Sequence, residues 1–260
     1  MQSRCCEDIL SCGFVIALCG NFSRRIFTVS KLKQFISGEL SGWQKSEAAW
    51  LCFCLAFTLV ISLLMKDSFL GILSSVTGTC YTLIAGKGKV SCYLFGAVNT
   101  LLYAYISYTN RLYGEVMLNL GWYFPMMFAG FFLWKKHLDN NSTIRKTSLG
   151  ISGKLICLVI NIAAIAVYAL ILKKMGDSQP VVDSITTVLS VTAMVLTVKR
   201  CSDQWLMWTI VNAVSIYMWY TAYRSGAGSV AVLLMWVLSL VNGIIFYIKW
   251  KKELEICPQN

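Results

Sequence analysis

Long apolar runs, interrupted by short polar segments, fill nearly all of the chain after residue 47. A helix needs about 20 largely apolar residues, or about 17 at the least, to cross the hydrocarbon core of a bilayer. Eight segments have this character: Ala48–Met65, Phe69–Ala85, Ser91–Tyr108, Leu112–Trp134, Leu155–Leu172, Val181–Val198, Gln204–Tyr223 and Ser229–Ile248. The pattern therefore predicts an all-α integral membrane protein with about eight transmembrane helices.

Two groups of three predicted helices carry related sequences. The shared positions are mostly small or polar: Ser75, Val76, Thr77 and Thr82 return as Ser190, Val191, Thr192 and Thr197, Asn99 returns as Asn212, and Gly130 returns as Gly243. The copies begin four helices apart, so both point the same way across the membrane. Parallel repeats of this kind occur in SWEET-type transporters, where two three-helix bundles enclose a solute site near the bilayer midplane.

The rest of the chain completes a SWEET-like 3+1+3 arrangement with one additional helix. The predicted units are an N-terminal segment (1–47), an extra transmembrane helix (48–65), repeat 1 (68–134), a basic loop and linker helix (135–180), repeat 2 (181–250) and a cytoplasmic tail (251–260). The linker, Leu155–Leu172, is expected to have no counterpart in the repeat.

The first 47 residues leave two alternatives open. Ile9–Cys19 is apolar but too short to span the bilayer. It is interpreted either as an interfacial helix, held to headgroups by Arg24, Arg25, Lys31 and Lys33, or as a cleaved leader.

Charge defines the predicted orientation. The chain is 57% hydrophobic with a formal net charge of +11, and its mean hydropathy is +0.64. If the N-terminus is inside, 18 of the 23 lysines and arginines fall in cytoplasmic segments, as the positive-inside rule requires. Both termini are therefore predicted to be cytoplasmic, and attraction to the acidic inner leaflet of the lipid bilayer explains the basic charge without a nucleic-acid partner.

The sequence contains few residues that could support metal, redox or acid–base chemistry. His137 is the single histidine, and most of the 11 cysteines lie in apolar runs without a CxxC pair, so no metal or cofactor is predicted. The acidic residues lie at or near predicted helix ends, whereas a proton-coupled carrier normally needs an intramembrane carboxylate or histidine. No phosphate-binding loop for ATP is present. We therefore predict a facilitator and not an enzyme.

Polar and aromatic side chains inside the spans are the candidates for a solute pathway, because they are costly in lipid. Helix seven carries Trp205, Trp208, Asn212 and Trp219 at spacings that place them on one stripe. The other candidates are Asn99, Asn119, Trp122, Ser239 and Asn242. Aromatic faces attract cationic rings and amides pair with hydroxyls or carboxamides, which favours a flat, hydroxylated, neutral or singly cationic solute without phosphate.

The same residue types also have structural uses. Asparagine joins transmembrane helices through hydrogen bonds, and tryptophan near helix ends forms interfacial belts. We expect belt positions for Trp43, Trp134 and Trp250, and a solute-facing position for the two repeat-equivalent asparagines. Pro125 is expected to kink the fourth helix.

The segment Trp205-Leu-Met-Trp208-Thr-Ile-Val-Asn212 resembles the W-x-x-W-x-x-x-N pattern of the PnuC family of bacterial nicotinamide riboside transporters, and the resemblance covers about residues 68–250. It implies uptake of unphosphorylated nicotinamide riboside down its gradient, trapping by a cytoplasmic kinase, and a SWEET-like homotrimer in the bacterial inner membrane. It also assigns Trp205, Trp208 and Asn212 to the substrate site or its gate, with Asn99 as their first-repeat counterpart.

Several alternatives stay open at this point. Repeat 1 has Cys92 and Phe95 where repeat 2 has Trp205 and Trp208, so the half-sites differ chemically. Thiamine, riboflavin or a sugar are alternative substrates for a transporter of this fold. A membrane enzyme would need an acid–base or nucleophilic cluster, and a structural or receptor protein would give no solute flux.

Overall fold

Nearly all described residues of the computed structural model are helical; they are 29–66, 68–109, 113–139, 142–176, 179–224 and 230–256. The helices are α1 (Val29–Leu40), α2 (Lys45–Leu64), α3 (Phe69–Lys87), α4 (Cys92–Thr109), α5 (Tyr113–Leu118), α6 (Phe124–Lys135), α7 (Ile151–Lys174), α8 (Pro180–Val198), α9 (Gln204–Arg224) and α10 (Val230–Ile256). A π-helical turn, Asn119–Tyr123, connects α5 directly to α6. The eight predicted spans coincide with α2 to α10, because α5, the π turn and α6 together form the fourth span.

Six of these stretches are long and apolar enough to cross a membrane by length and composition: Lys45–Leu64, Phe69–Lys87, Val116–Lys135, Ile151–Lys174, Pro180–Val198 and Leu233–Ile256. The other two predicted spans, α4 and α9, are helices of 18 and 21 residues. These are the second helices of the repeats, and they carry Asn99 and the W-x-x-W-x-x-x-N segment. Two of the helices predicted to contribute to the pathway are therefore less apolar than the six.

The six helical rods of the two repeats form a closed ring. Contacts run from α3 to α4, α4 to α6, α6 to α8, α8 to α9, α9 to α10 and α10 back to α3. The second helix of each repeat thus lies between the first and the third, and the third helix of each repeat contacts the first helix of the other. This reciprocal packing is what two parallel repeats produce, and it confirms the predicted pair of bundles.

Helices α2 and α7 lie outside the ring in corresponding places. α2 packs on α3, and α7 packs on α8. The hydroxyls of Thr58 on α2 and Thr79 on α3 are 3.1 Å apart, and the Thr192 hydroxyl on α8 donates to Asn161 Oδ1 on α7 at 2.8 Å. Thr79 lies two residues after Thr77, the residue that Thr192 matches in the sequence repeat. The linker and α2 thus each contact the first helix of a repeat through a threonine, and both lie outside the repeat itself.

Both repeats end their first helix in the same turn. Gly88 and Arg200 have positive φ values of 81° and 61°, and the next N–H in each turn bonds to the carbonyl five residues back, at 3.2 and 2.9 Å. This is the Schellman arrangement of a helix C-terminus. It leaves the Gly88 and Arg200 carbonyls available to other segments at this end of the ring, which we call the basic end.

Helix α1 is hydrogen-bonded to the basic end of repeat 1. The Glu39 carboxylate accepts hydrogen bonds from the Ser91 N–H at 3.1 Å and the Ser91 hydroxyl at 2.5 Å, and the Lys89 amine donates to the Gly38 carbonyl at 2.8 Å. Lys33 is exposed. The predicted interfacial stretch at residues 9–19, with Arg24, Arg25 and the side chain of Lys31, lies outside the described residues.

Two glycines allow helices of the ring to approach closely. A Cβ atom built on Gly86 of α3 would lie 2.4 Å from the Phe246 ring of α10, and one built on Gly130 of α6 would lie 2.1 Å from the Tyr93 ring of α4. Gly130 is a repeated position, so its small size supports a helix contact within its own repeat. Gly86 supports the contact between the repeats.

We expect Gly86→Ala to destabilise the protein by about 1–3 kcal/mol, because the added methyl group overpacks the interface between α3 and α10. Gly121→Ala is the matched control, since a Cβ atom there meets nothing within 4 Å. Thermal unfolding of the detergent-purified variants measures the difference. Equal melting temperatures for the two variants would contradict the close approach.

Candidate solute pathway

Five aromatic side chains from both repeats fill the ring at its basic end. Trp134 and Trp250 are fully buried, and their ring centroids are 6.3 Å apart. Tyr93 lies 4.9 Å from Trp134, while Trp205 lies 5.7 Å from Trp250 and 5.0 Å from Phe246. This aromatic cluster closes the basic end, so Trp205 is part of a packed closure in this conformation.

Two of these tryptophans join the repeats reciprocally. The Trp134 indole at the end of α6 donates to the Thr197 carbonyl near the end of α8 at 2.9 Å. The Trp250 indole on α10 donates to the Gly86 carbonyl near the end of α3 at 2.8 Å. The prediction that Trp134 and Trp250 form an interfacial belt is therefore wrong, because both rings are buried between helices. Trp43 is half-buried and donates to the Glu39 carbonyl.

A segment of the basic loop lies across the ends of both repeats. Within this segment, residues 142–150, the Ile144 N–H donates to the Gly88 carbonyl at 3.0 Å and the Thr147 N–H donates to the Arg200 carbonyl at 3.0 Å. Ser202 returns a bond to the Thr147 carbonyl at 2.8 Å. We call residues 142–150 the inter-repeat strap. It uses the carbonyls exposed by the two helix-ending turns.

Asn212 lies two turns deeper than Trp205 on the same helix. At 1.5 Å per residue it is about 12 Å from the start of α9. Its side chain is 7% exposed, and no hydrogen-bond partner is found for it among the described residues. The Asn212 amide atoms are not among the fully buried polar atoms that lack a partner, so the amide keeps some accessibility and can hydrogen-bond a polar solute. Trp208 lies between the two levels, with its indole 3.4 Å from the Thr197 hydroxyl.

Asn99 occupies the equivalent depth on α4, about 10 Å from the start of that helix, but its surroundings differ. Its Oδ1 accepts a hydrogen bond from the Ser74 hydroxyl of α3 at 2.9 Å, and it packs against Gly78. The Asn99 amide group still has donor capacity. The two equivalent asparagines are therefore unequal, since one carbonyl is already engaged.

The π-helical turn in the third helix of repeat 1 holds Asn119 and Trp122. Asn119 is buried, and the buried Trp122 Nε1 has no hydrogen-bond partner among the described residues. The Phe124 N–H bonds to the Asn119 carbonyl, and Pro125, which has no N–H, follows directly. The expected disturbance by Pro125 thus takes the form of a π turn, a feature frequent at functional sites. Repeat 2 has an unbroken α10 here.

The other predicted site residues lie elsewhere. Asn242 Oδ1 accepts a 2.8 Å hydrogen bond from the Trp50 indole, so its amide faces α2 on the outside of the ring. The Ser239 hydroxyl donates to the Met235 carbonyl one turn earlier. The side chain of Trp219 lies outside the described residues. Asn242 thus joins two helices, whereas Asn212 has no hydrogen-bond partner among the described residues.

Charged groups gather at the basic end. The Glu47 carboxylate bonds both Lys87 and Lys249 at 2.5 Å, and Lys146 pairs with Glu253. Among the described residues, no group of three or more His, Cys, Asp or Glu side chains is placed to hold a metal ion. The groups in the described interior that could recognise a solute are therefore aromatic rings and amides.

Comparisons with known proteins agree with this arrangement. The model of the nicotinamide mononucleotide transporter family matches residues 68–252, most of the chain. The nicotinamide riboside transporter PnuC of Neisseria mucosa is 38% identical over 217 residues, which cover 81% of this chain and 82% of that protein. The chain belongs to the PnuC family. A second family member, from Haemophilus influenzae, is 30% identical and is covered over 92% of its length.

The fold of the family is also shared. The crystal structure of the vitamin B3 transporter PnuC superimposes with a TM-score of 0.74 at 36% identity, over 85% of this chain and 97% of that one. A more distant PnuC, from Escherichia coli, is 25% identical over 57% of this chain. These relatives are transporters, so the chain is a multi-pass membrane transporter of this family and not an enzyme.

We expect Asn242→Leu to lower stability without changing solute affinity, because it removes the acceptor of the Trp50 indole on the outside of the ring. Polar contacts between transmembrane helices contribute about 0.6 kcal/mol on average and up to about 1.7. Thermal unfolding and equilibrium binding measure the two effects, and Trp50→Phe should reproduce them. Lost binding at an unchanged melting temperature would place Asn242 in the solute site.

Proposed function

We propose that this protein takes up unphosphorylated nicotinamide riboside by facilitated diffusion. The observation that carries this proposal is Asn212, a largely buried residue whose amide has no hydrogen-bond partner among the described residues, on the helix with the family's tryptophan pattern. The curated relatives are nicotinamide riboside transporters by name, which supports the same solute.

The chemistry of the described interior favours the riboside over its phosphorylated form. Nicotinamide riboside combines a cationic aromatic ring, a carboxamide and ribose hydroxyls. Indole faces attract the ring, and the amides of Asn99 and Asn212 pair with the carboxamide or hydroxyls. A phosphate would require arginine or lysine, and the described lysines and arginines of the ring helices lie within about the last two turns of these helices or beyond them.

The facilitator mechanism follows from the same distribution of charge. Without an intramembrane carboxylate or histidine to carry a proton, the solute equilibrates, and a cytoplasmic kinase that phosphorylates it provides the net uptake. We place the basic ends of the helices on the cytoplasmic side of the bacterial inner membrane, and both termini with them. A homotrimer is the proposed assembly.

Tryptophan fluorescence of the detergent-purified protein tests the substrate directly. Nicotinamide riboside should quench the emission, whereas nicotinamide mononucleotide, thiamine, riboflavin and sucrose should leave it unchanged. Preference for thiamine, riboflavin or sucrose would keep the transporter and replace the substrate. Quenching by the mononucleotide would contradict the exclusion of phosphate.

We expect Asn212→Leu to weaken binding of nicotinamide riboside at least about tenfold, or 1.4 kcal/mol, while the melting temperature is kept. Leucine has the same branched arrangement of side-chain heavy atoms but lacks the amide. Asn242→Leu is the matched control, because it removes an amide that faces α2. Unchanged affinity of a folded Asn212→Leu protein would remove this residue from the site.

Transport in liposomes should reach equal concentrations of nicotinamide riboside on both sides and stop there. An imposed proton gradient should not change this endpoint, because no described intramembrane group couples a proton to the solute. Glu115→Gln should transport like the wild type, since Glu115 is predicted to lie near a helix end. Accumulation driven by a proton gradient in the wild type but not in Glu115→Gln would show coupling.

A further inference from the structure

One lysine of the inter-repeat strap is buried against the aromatic cluster. The side chain of Lys146 is 5% exposed and pairs with Glu253 of α10. Its Nζ lies 4.9 Å from the centroid of the Trp250 ring. Burying an ammonium group costs free energy unless it is paired. Here the carboxylate and the indole face offset the cost together.

The charged groups near Lys146 and Glu253 already have a partner of their own. The nearby Lys87 and Lys249 are both bonded by Glu47. Burial lowers the pKa of the Lys146 amine, as do Lys249 and Lys87, and Glu253 opposes that shift. The buried Lys146 amine therefore depends on the Glu253 carboxylate, whose own side chain is 42% exposed.

The contact between Lys146 and α10 links the strap to α10 and, through Trp250, to α3. The strap is bonded through its backbone to the turns at Gly88 and Arg200. Trp250 is bonded to the Gly86 carbonyl of α3, and Glu253 lies one turn beyond Trp250 on α10. Lys146 thus connects the strap to the tryptophan that joins repeat 2 to repeat 1. Movement of α10 away from α3 has to break these contacts together.

We infer that Lys146 and Glu253 hold Trp250 against α3 and thereby keep the basic end of the pathway closed. Lys146 is a positioning residue, since it acts through Trp250 and not through the solute. The inference rests on the proposed transport function but not on which solute is carried, because opening of this end is required for any solute to pass.

A native cysteine reports opening of the basic end. Cys201 is 3% exposed and lies beside Thr147 of the strap through an isolated β-bridge. Alkylation of Cys201 by a maleimide in the reconstituted protein without solute, followed by mass spectrometry of the peptide, measures its exposure. Cys54, fully buried between α2 and α10, reports general unfolding in the same sample.

We expect Lys146→Met to raise the alkylation rate of Cys201 about tenfold, which corresponds to about 1.4 kcal/mol, without a matching rise at Cys54. Lys146→Arg should restore the wild-type rate, because it keeps the charge over the indole. Lys251→Met is the matched control, since the Lys251 amine lies 5.0 Å from the Tyr247 ring on the same helix and has no contact with the strap.

Wild-type protection of Cys201 in Lys146→Met, or the same increase in Lys251→Met, would overturn the inference. An increase at Cys54 equal to that at Cys201 would also overturn it, since the effect would then be unfolding. If Lys146→Met does not fold, Glu253→Gln provides the test. Faster alkylation of Cys201 in that variant would support the inference, and an unchanged rate would overturn it. These readouts need no solute, so failure of the nicotinamide riboside assignment leaves them interpretable.

Discussion

The indole N–H groups of Trp134 and Trp250 impose the constraint on which the ring depends. Both rings are fully buried, so an acceptor inside the protein offsets the cost of removing each N–H from water. Backbone carbonyls near the ends of α3 and α8 supply these acceptors. Because each tryptophan belongs to one repeat and its acceptor to the other, satisfying both bonds draws the two bundles together at the basic end. The strap then covers the turns that follow these helices.

Below this closure, the two repeats use equivalent polar positions differently. The Asn99 carbonyl is engaged by Ser74, whereas Asn212 is buried without a partner among the described residues. Repeat 1 interrupts its third helix with a π turn and Pro125, and repeat 2 continues its third helix without a break. The duplicated helices thus form the ring, while the differences between the two repeats make its interior asymmetric. Such an interior suits a solute with unlike ends, an aromatic ring and a sugar.

Much of this architecture could be predicted from the sequence, because long apolar runs and the parity of a repeat depend only on composition and order along the chain. The direction in which a polar side chain points depends on neighbouring helices. Asn242 and Asn212 are both mid-helix asparagines, yet Asn242 is engaged by Trp50 of α2 and Asn212 has no hydrogen-bond partner among the described residues. The repeated Trp-Lys-Lys endings at Trp134 and Trp250 were a usable signal, since repetition favours a shared contact over a belt. Nothing comparable in the sequence distinguished Lys146 from the other basic residues of its loop.

The distribution of charge connects the fold to the mode of transport. The described ion pairs lie at the basic end, where Glu47 and Glu253 neutralise lysines from α3, α10 and the strap. The interior between the helix ends has amides, hydroxyls and indoles instead. Opening at the basic end therefore requires the exchange of a few buried contacts around Trp250, with no charge moved through the membrane. Under the proposed facilitator mechanism, a solute pathway of this kind needs no ion gradient to operate, and consumption of the solute determines the direction of net flux.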